Sequence, residues 1–293
     1  MKRGYALLVT LFLIFSISLI LLKSLTLSNL SIKESGNFQR IVQLNLATKD
    51  TLNILKNSPE LKDLNDTVEY DNFLAEYENI PFSIDKEDAI LLSLEPSNTK
   101  ININDIKSWD SSQKRDFINY LRAYGVSSAE YFWDILQDAL DQESRATALK
   151  EDMPLLANQK ISNKRVFDRL ISYYIQNSSD LGILNVPWDK LIDFKGNGLD
   201  VNHMSCEVWR VIFGDRADEI GGEICHSKKV VKELNSTSFS KDDIKRLKRY
   251  KVSTNIRVVS VTIRLSKKNK NDIISTFDYD IDRKKALNVA MDF

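Results

Sequence analysis

The chain opens on an uncharged apolar run, Tyr5–Leu22, set behind Met1-Lys2-Arg3-Gly4. At about 1.5 Å per residue, a helix of that length roughly matches a bilayer core of about 30 Å. Thr10, Ser16 and Ser18 fit such a helix, because small hydroxyls bond back to its own carbonyls. The helical rhythm continues past Leu22. Leu27, Leu30, Glu34, Phe38, Ile41 and Asn45 fall at spacings of three or four, and Leu44, Thr48, Leu52 and Leu55 extend a neighbouring face. The first stop is Asn57-Ser58-Pro59, where Pro59 drives Ser58 out of helical geometry. The pattern predicts one rod over 5–56, roughly 75–80 Å long, membrane-spanning in its first half and amphipathic in its second. Lys2 and Arg3 ahead of the run favour a cytoplasmic N-terminus.

Past a polar connector, Ile80–Ile84 and Ala89–Leu94 flank Asp85-Lys86-Glu87-Asp88 and predict two short strands around a charged turn. Helices follow. One starts at Ser111 or Ser112, carries Phe117, Ile118 and Leu121, and stops near Gly125. A second starts at Ser127 or Ser128 and carries Tyr131, Phe132, Ile135, Leu136 and Leu140. A third runs through Val166–Tyr174 to Asn177-Ser178, and a fourth lies between Ser205 and Gly214. Lys228–Lys251 is basic and polar. Ile256–Leu265 then alternates, with Val259, Val261 and Ile263 on one side, and Ile273–Ile281 returns with Ile273, Ser275, Phe277, Tyr279 and Ile281 aligned. This order predicts an α+β fold: a long N-terminal transmembrane, pilin-like helix, a small antiparallel sheet, and an inserted, mainly helical domain. The divisions are 1–4 leader, 5–56 helix, 57–100 connector and first strands, 101–227 insertion, and 228–293 basic connector and closing strands.

A short basic leader ending in Gly4, then Tyr5 and a long helix, resembles the class III signal of type IV pilins and type II secretion pseudopilins. The resemblance implies cleavage by the prepilin peptidase after Gly4 and N-methylation of Tyr5. Val9 stands where most such subunits carry Glu, and the large minor pseudopilin of type II secretion, the K component, is the member that typically lacks it. A side chain without a carboxylate cannot pair with a neighbouring subunit's free amine, which suits a position with no subunit above it. That family has a helical insertion, related to helix-hairpin-helix folds, bracketed by two apolar-Asn-apolar-Asn motifs. Ile101-Asn102-Ile103-Asn104 matches the first. Leu199-Asp200-Val201-Asn202-His203-Met204 matches the second in part, with Asp200 for Asn and His203-Met204 for Thr-Ala.

Asp138 and Asp141 share a helical side, with Glu143 just beyond and Glu151-Asp152 following. From spacing this is an acidic helix surface or a hard oxygen cage. The resemblance implies structural calcium at Asp138, Asp141, Glu143, Glu151 and Asp152, although Ala139 replaces the family's Trp and the Gly before the Glu-Asp pair is absent.

Composition narrows the function. The chain holds 293 residues, with 41 basic and 41 acidic side chains, so no global field favours nucleic acid. Only His203 and His226 are available as imidazoles, and no Gly-x-Ser-x-Gly, Walker A, His-Glu-x-x-His or Cys-x-x-Cys occurs, which argues against an enzyme. Cys206 and Cys225 leave three readings open: a disulfide, two thiols, or zinc together with the two histidines. Lys195-Gly196-Asn197-Gly198 and the basic set Lys241, Lys245, Arg246, Lys248 and Arg249 are the candidate DNA grip, diluted by Asp193, Asp242 and Asp243 and lacking interleaved aromatics. The expected protein is a minor pseudopilin at the tip of a type II secretion pseudopilus, acting in assembly and protein export. It is expected in the bacterial inner membrane, single-pass, with its C-terminal domain in the periplasm. Its expected partners are the prepilin peptidase, the secretion channel or cargo, and other minor pseudopilins docked on Leu27, Leu30, Phe38 and Ile41. The alternatives are a minor pilin of a type IV pilus or DNA-uptake system and a single-pass anchored binding module.

Overall fold

A computed structural model of the chain describes residues 38–292, apart from short segments within 59–66, 77–79, 84–87, 142–147, 155–159, 197, 228–229, 235–238, 255–256 and 268–271. In chain order come α1 (38–57), α2 (Thr67–Glu76), β1 (Ile80–Ser83) and β2 (Asp88–Pro96). An excursion follows: β3 (Ile101–Asn102), α3 (Ser111–Ala123), α4 (Ala129–Leu140), α5 (Ala148–Asp152), α6 (Lys164–Ser178), α7 (Trp188–Leu191), β4 (Ile192–Asp193) and β5 (Leu199–Asp200). It continues through α8 (Cys206–Phe213), α9 (Ala217–Ser227), α10 (Lys241–Arg249) and β6 (Val252–Ser253). The chain then returns as β7 (Val258–Lys267), β8 (Ile273–Asp280) and β9 (Lys285–Asp292).

The membrane-crossing helix is the main correction. Among the described residues, no helix is long and apolar enough to cross a membrane. Helix α1 is amphipathic: Leu44, Thr48 and Leu55 are buried against the sheet, while Lys49, Asp50 and Lys56 are exposed. The transmembrane part of the expected fold class, and the single-pass inner-membrane placement that rested on it, are replaced by an α+β fold whose first described helix rides on a sheet. Tyr5–Leu22 and the first half of the expected rod lie outside the described residues.

The five-stranded sheet has the order β1-β2-β7-β8-β9, antiparallel throughout. Strand β2 pairs with β7 from Asp88↔Lys267 to Pro96↔Val259, so the sheet closes across the whole excursion. Alternation explains why. Val259, Val261, Ile263 and Leu265 are fully buried, as are Ser275 and Phe277 of β8, and α1 covers that face. Burying Leu44 and Leu55 there contributes about 2 kcal/mol each. Thr48 Oγ1 sits 2.8 Å from Leu44 O and 3.0 Å from Ser275 Oγ, so the polar atoms inside this seam satisfy each other. Strand β9 was absent from the sequence expectation.

The excursion has its own core, which includes Phe117, Phe132, Phe167, Tyr174 and Trp209 and extends to Leu247, Tyr250 and Val252. Rings meet edge to face, as Phe167 and Trp188 do at 5.0 Å. The cap of α3 is Asp110 in a capping box with Gln113, where Ser111 or Ser112 was expected. Helix α4 has Ser128 at its N-cap, without a side-chain cap bond. Asp180, from beyond α6, instead fixes the turn that leads into the helix, accepting from Ser127 N at 2.7 Å, Ser128 N at 3.0 Å and the Tyr174 hydroxyl at 2.6 Å. Burial alone would raise its pKa; the hydrogen bonds from Tyr174, Ser127, Ser128 and Gly182 outweigh that and hold it at about 2. Gly182 is required beside it, because a Cβ there would overlap Gly125 O.

Both asparagine motifs stand at the neck of the excursion and do the same work. Asn104 Oδ1 accepts from Ile161 N at 2.8 Å while its Nδ2 donates to Ile161 O at 3.0 Å. Asn202 repeats this with Val231, at 2.7 Å from N and 3.1 Å to O. A primary amide offers one acceptor and two donors in a plane, so it mimics the peptide of a neighbouring strand. Each motif also begins with a two-residue parallel bridge, β3 to β4 and β5 to β6.

Candidate interaction surface and metal-ligating clusters

Among the described residues, four of the exposed large apolar side chains stand on the outer face of α1. Phe38 is 67% exposed, Val42 40%, Leu46 56% and Ile54 61%. Steps of four and eight residues keep these side chains along one drifting stripe. It lies opposite the buried Leu44, Thr48 and Leu55. Of the residues expected to meet a partner, Phe38 lies on this stripe, and Ile41 packs partly against the sheet core. Leu27 and Leu30 lie outside the described residues, as do Gly4 and Tyr5. Val42, Leu46 and Ile54 are absent from the sequence expectation, although their spacing of four and eight residues puts them near one helix face.

The acidic set is only partly described. Asp138 and Asp141 are half-buried at the end of α4, and Glu151 and Asp152 are exposed on α5. Asp152 accepts a hydrogen bond from the Tyr173 hydroxyl at 2.9 Å. Glu143 lies outside the described residues. Among the described residues, these carboxylates do not converge as a group of three; the group that does is Cys206, Cys225 and His226.

Cys206 and Cys225 are joined in a disulfide with Cα atoms 5.4 Å apart. It ties the first residue of α8 to the last turn of α9. The two helices also cross closely at Gly221, where a Cβ would overlap the Trp209 ring. His226 stays beside the bridge, its ring nitrogens 3.9 and 4.0 Å from Cys206 Sγ. His203 is turned elsewhere. Its Nε2 is 2.7 Å from Asp71 on α2, and its Nδ1 is 3.1 Å from Asp200, an ion-pair distance at which the ring N–H is not aligned for a hydrogen bond. Tyr70 meets the imidazole edge-on at 5.4 Å. Burial pushes the His203 pKa down, but the two carboxylates outweigh it and the net direction is up. The pair of departures in the second motif, Asp200 and His203, is thus one ion-paired unit reaching α2. Beside it lies a cavity of about 590 Å³ lined by Asp71, Glu95, Lys100, His203, Cys206 and Cys225 among others.

The candidate DNA grip is not a free basic face. Arg246 donates to Asp116 at 2.7 Å, Arg249 to Ser112 Oγ at 2.7 Å, and Lys195 to Asn288 O at 3.0 Å. Gly196 and Gly198 do occupy positive φ, as a tight turn requires. Lys241, Lys245 and Lys248 remain exposed on α10, with Asp242 exposed beside them.

No protein-family model and no curated protein matches the chain. Among solved structures it is similar to a chain of the GspK-GspI-GspJ complex from the enterotoxigenic Escherichia coli Type 2 Secretion System. The TM-score is 0.57 at 13% sequence identity, covering 89% of this chain and 99% of that one. At that identity, the likeness is one of fold.

Proposed function

We propose that the chain is a non-catalytic minor pseudopilin of a type II secretion system, placed at the tip of the pseudopilus and acting in its assembly and in protein export. The observation that carries this is the stripe Phe38, Val42, Leu46 and Ile54, left open on the helix that backs a pilin-like sheet. An apolar stripe on a helix whose other side is already packed is suited to a partner helix. The fold shared with a chain of the GspK-GspI-GspJ complex supports companion minor pseudopilins as that partner. The excursion, with its own core, gives the bulk that would block a further subunit from stacking above. Processing after Gly4 belongs to the same proposal.

Co-expression with the small minor pseudopilins of the same genome tests the role. A stable complex with the native chain is expected, and the double variant Leu46→Glu, Ile54→Glu should lose it while melting at the same temperature. Complexes that form equally well with the variant would refute the surface. A chain isolated from its native host that begins at Met1 would refute the processing.

A further inference from the structure

Three soft donors converge on one point of the helical domain. The ligand atoms of Cys206, Cys225 and His226 all lie within 4.8 Å of one another. Donors bound tetrahedrally to one zinc-class ion lie roughly 3.5–3.8 Å apart, given metal–sulfur and metal–nitrogen distances of about 2.3 and 2.0 Å. The set therefore needs side-chain rotation and little backbone movement once the sulfurs are parted. Cys206 is the first residue of α8, where the helix N-terminus stabilises a thiolate, and an imidazole already stands beside it. His203, the fourth residue of the sequence pattern, is held away by Asp71 and Asp200. Both cysteines line the cavity of about 590 Å³, which gives room for a fourth, non-protein ligand.

We propose that the Cys206–Cys225 disulfide gates a soft-metal site: when a dithiol reductant opens it, the two sulfurs and the His226 imidazole bind one zinc-class ion, with the fourth position facing the cavity. The exchange balances. The dithiol gives two electrons and two protons to the bridge and becomes a disulfide itself, leaving two protein thiols. The metal then displaces both thiol protons into solvent and takes the lone pair of a His226 ring nitrogen. Oxidation reverses the process and releases the ion, because a disulfide sulfur is a poor ligand.

The full chain, reduced by a dithiol under inert gas and freed of it by gel filtration, is titrated with Co²⁺. Thiolate-to-cobalt charge transfer and strong tetrahedral d–d absorption are expected, saturating at one ion per chain and displaced by Zn²⁺, with neither seen for the oxidised chain. His226→Ala should weaken Co²⁺ at least about 100-fold, since loss of an outer-shell partner alone costs roughly 10–100-fold. His226→Gln serves as a second variant if the first folds poorly. The double variant Cys206→Ser, Cys225→Ser should show no charge transfer. The proposal is overturned if the reduced native chain shows none, if both His226 variants titrate as the native chain does, or if cobalt is taken up only after the helical circular dichroism is lost.

Discussion

The two asparagine motifs bracket the helical domain and differ in one instructive way. In the first, Asn102 and Asn104 close on each other and on nearby backbone: Asn102 Oδ1 accepts from Asn104 N at 3.0 Å, and its Nδ2 reaches Gly196 O at 2.9 Å. In the second, the leading amide is a carboxylate. Asp200 still accepts from Asn202 N at 3.0 Å, but it is 2% exposed, and a buried charge demands a cation. His203 supplies it, and its other nitrogen reaches Asp71 on α2. Exchanging an amide for an acid thus turns a motif that bonds within the helical domain into a tie between that domain and the sheet lobe.

Removal of the shared element should have the largest effect. Asn104→Ala leaves both the N–H and the C=O of Ile161 without a partner in a fully packed place, and a loss of about 3 kcal/mol is expected by urea denaturation. Asn202→Ala does the same to Val231 at a half-buried site, so about 2 kcal/mol is expected. Equal losses would break the idea that depth separates the two motifs. His203→Ala removes only what the second motif adds, chiefly one charged hydrogen bond to the part-exposed Asp71, and about 1.5–2 kcal/mol is expected near pH 6. Its sign with pH follows from the raised pKa. The stabilisation is complete below the unfolded value near 6.5 and fades as pH rises through the higher folded value. The gap between native and variant midpoints should therefore narrow on the alkaline side; a gap that widened would mean that the imidazole is held neutral. Smallest of all, Lys164→Ala cuts an exposed i, i+4 pair with Asp168 on α6 and should cost less than about 0.5 kcal/mol.

Legibility followed how local each cause was. Ser205 at the N-cap and Gly214 at the end of α8 act within a few residues, and the helix appears where the pattern placed it. The alternation of β7 and β8 was equally plain. Strand β9 was hidden because Asn288 takes positive φ and the register slips between Thr276 and Asp278, which spoils a period of two. Helix α10 was passed over as a basic connector. It has few apolar residues, and what seats it is remote: Gln113 bonding Arg249 O, and Asp116 meeting Arg246. Asp71 gave no sign at all, being far along the chain from the histidine it meets.

By itself, the sequence determined the α+β class, the helical break in the sheet, the capped helices and the four cysteine and histidine positions open to soft chemistry. These depend on periodicity, and on side chains acting on their own backbone. Tertiary structure decided the rest. It chose which side of α1 meets the sheet and which stays bare, joined Cys206 to Cys225, and turned one histidine to each of two tasks. Such choices are differences between packings of distant segments, and neighbours in the chain carry no record of them.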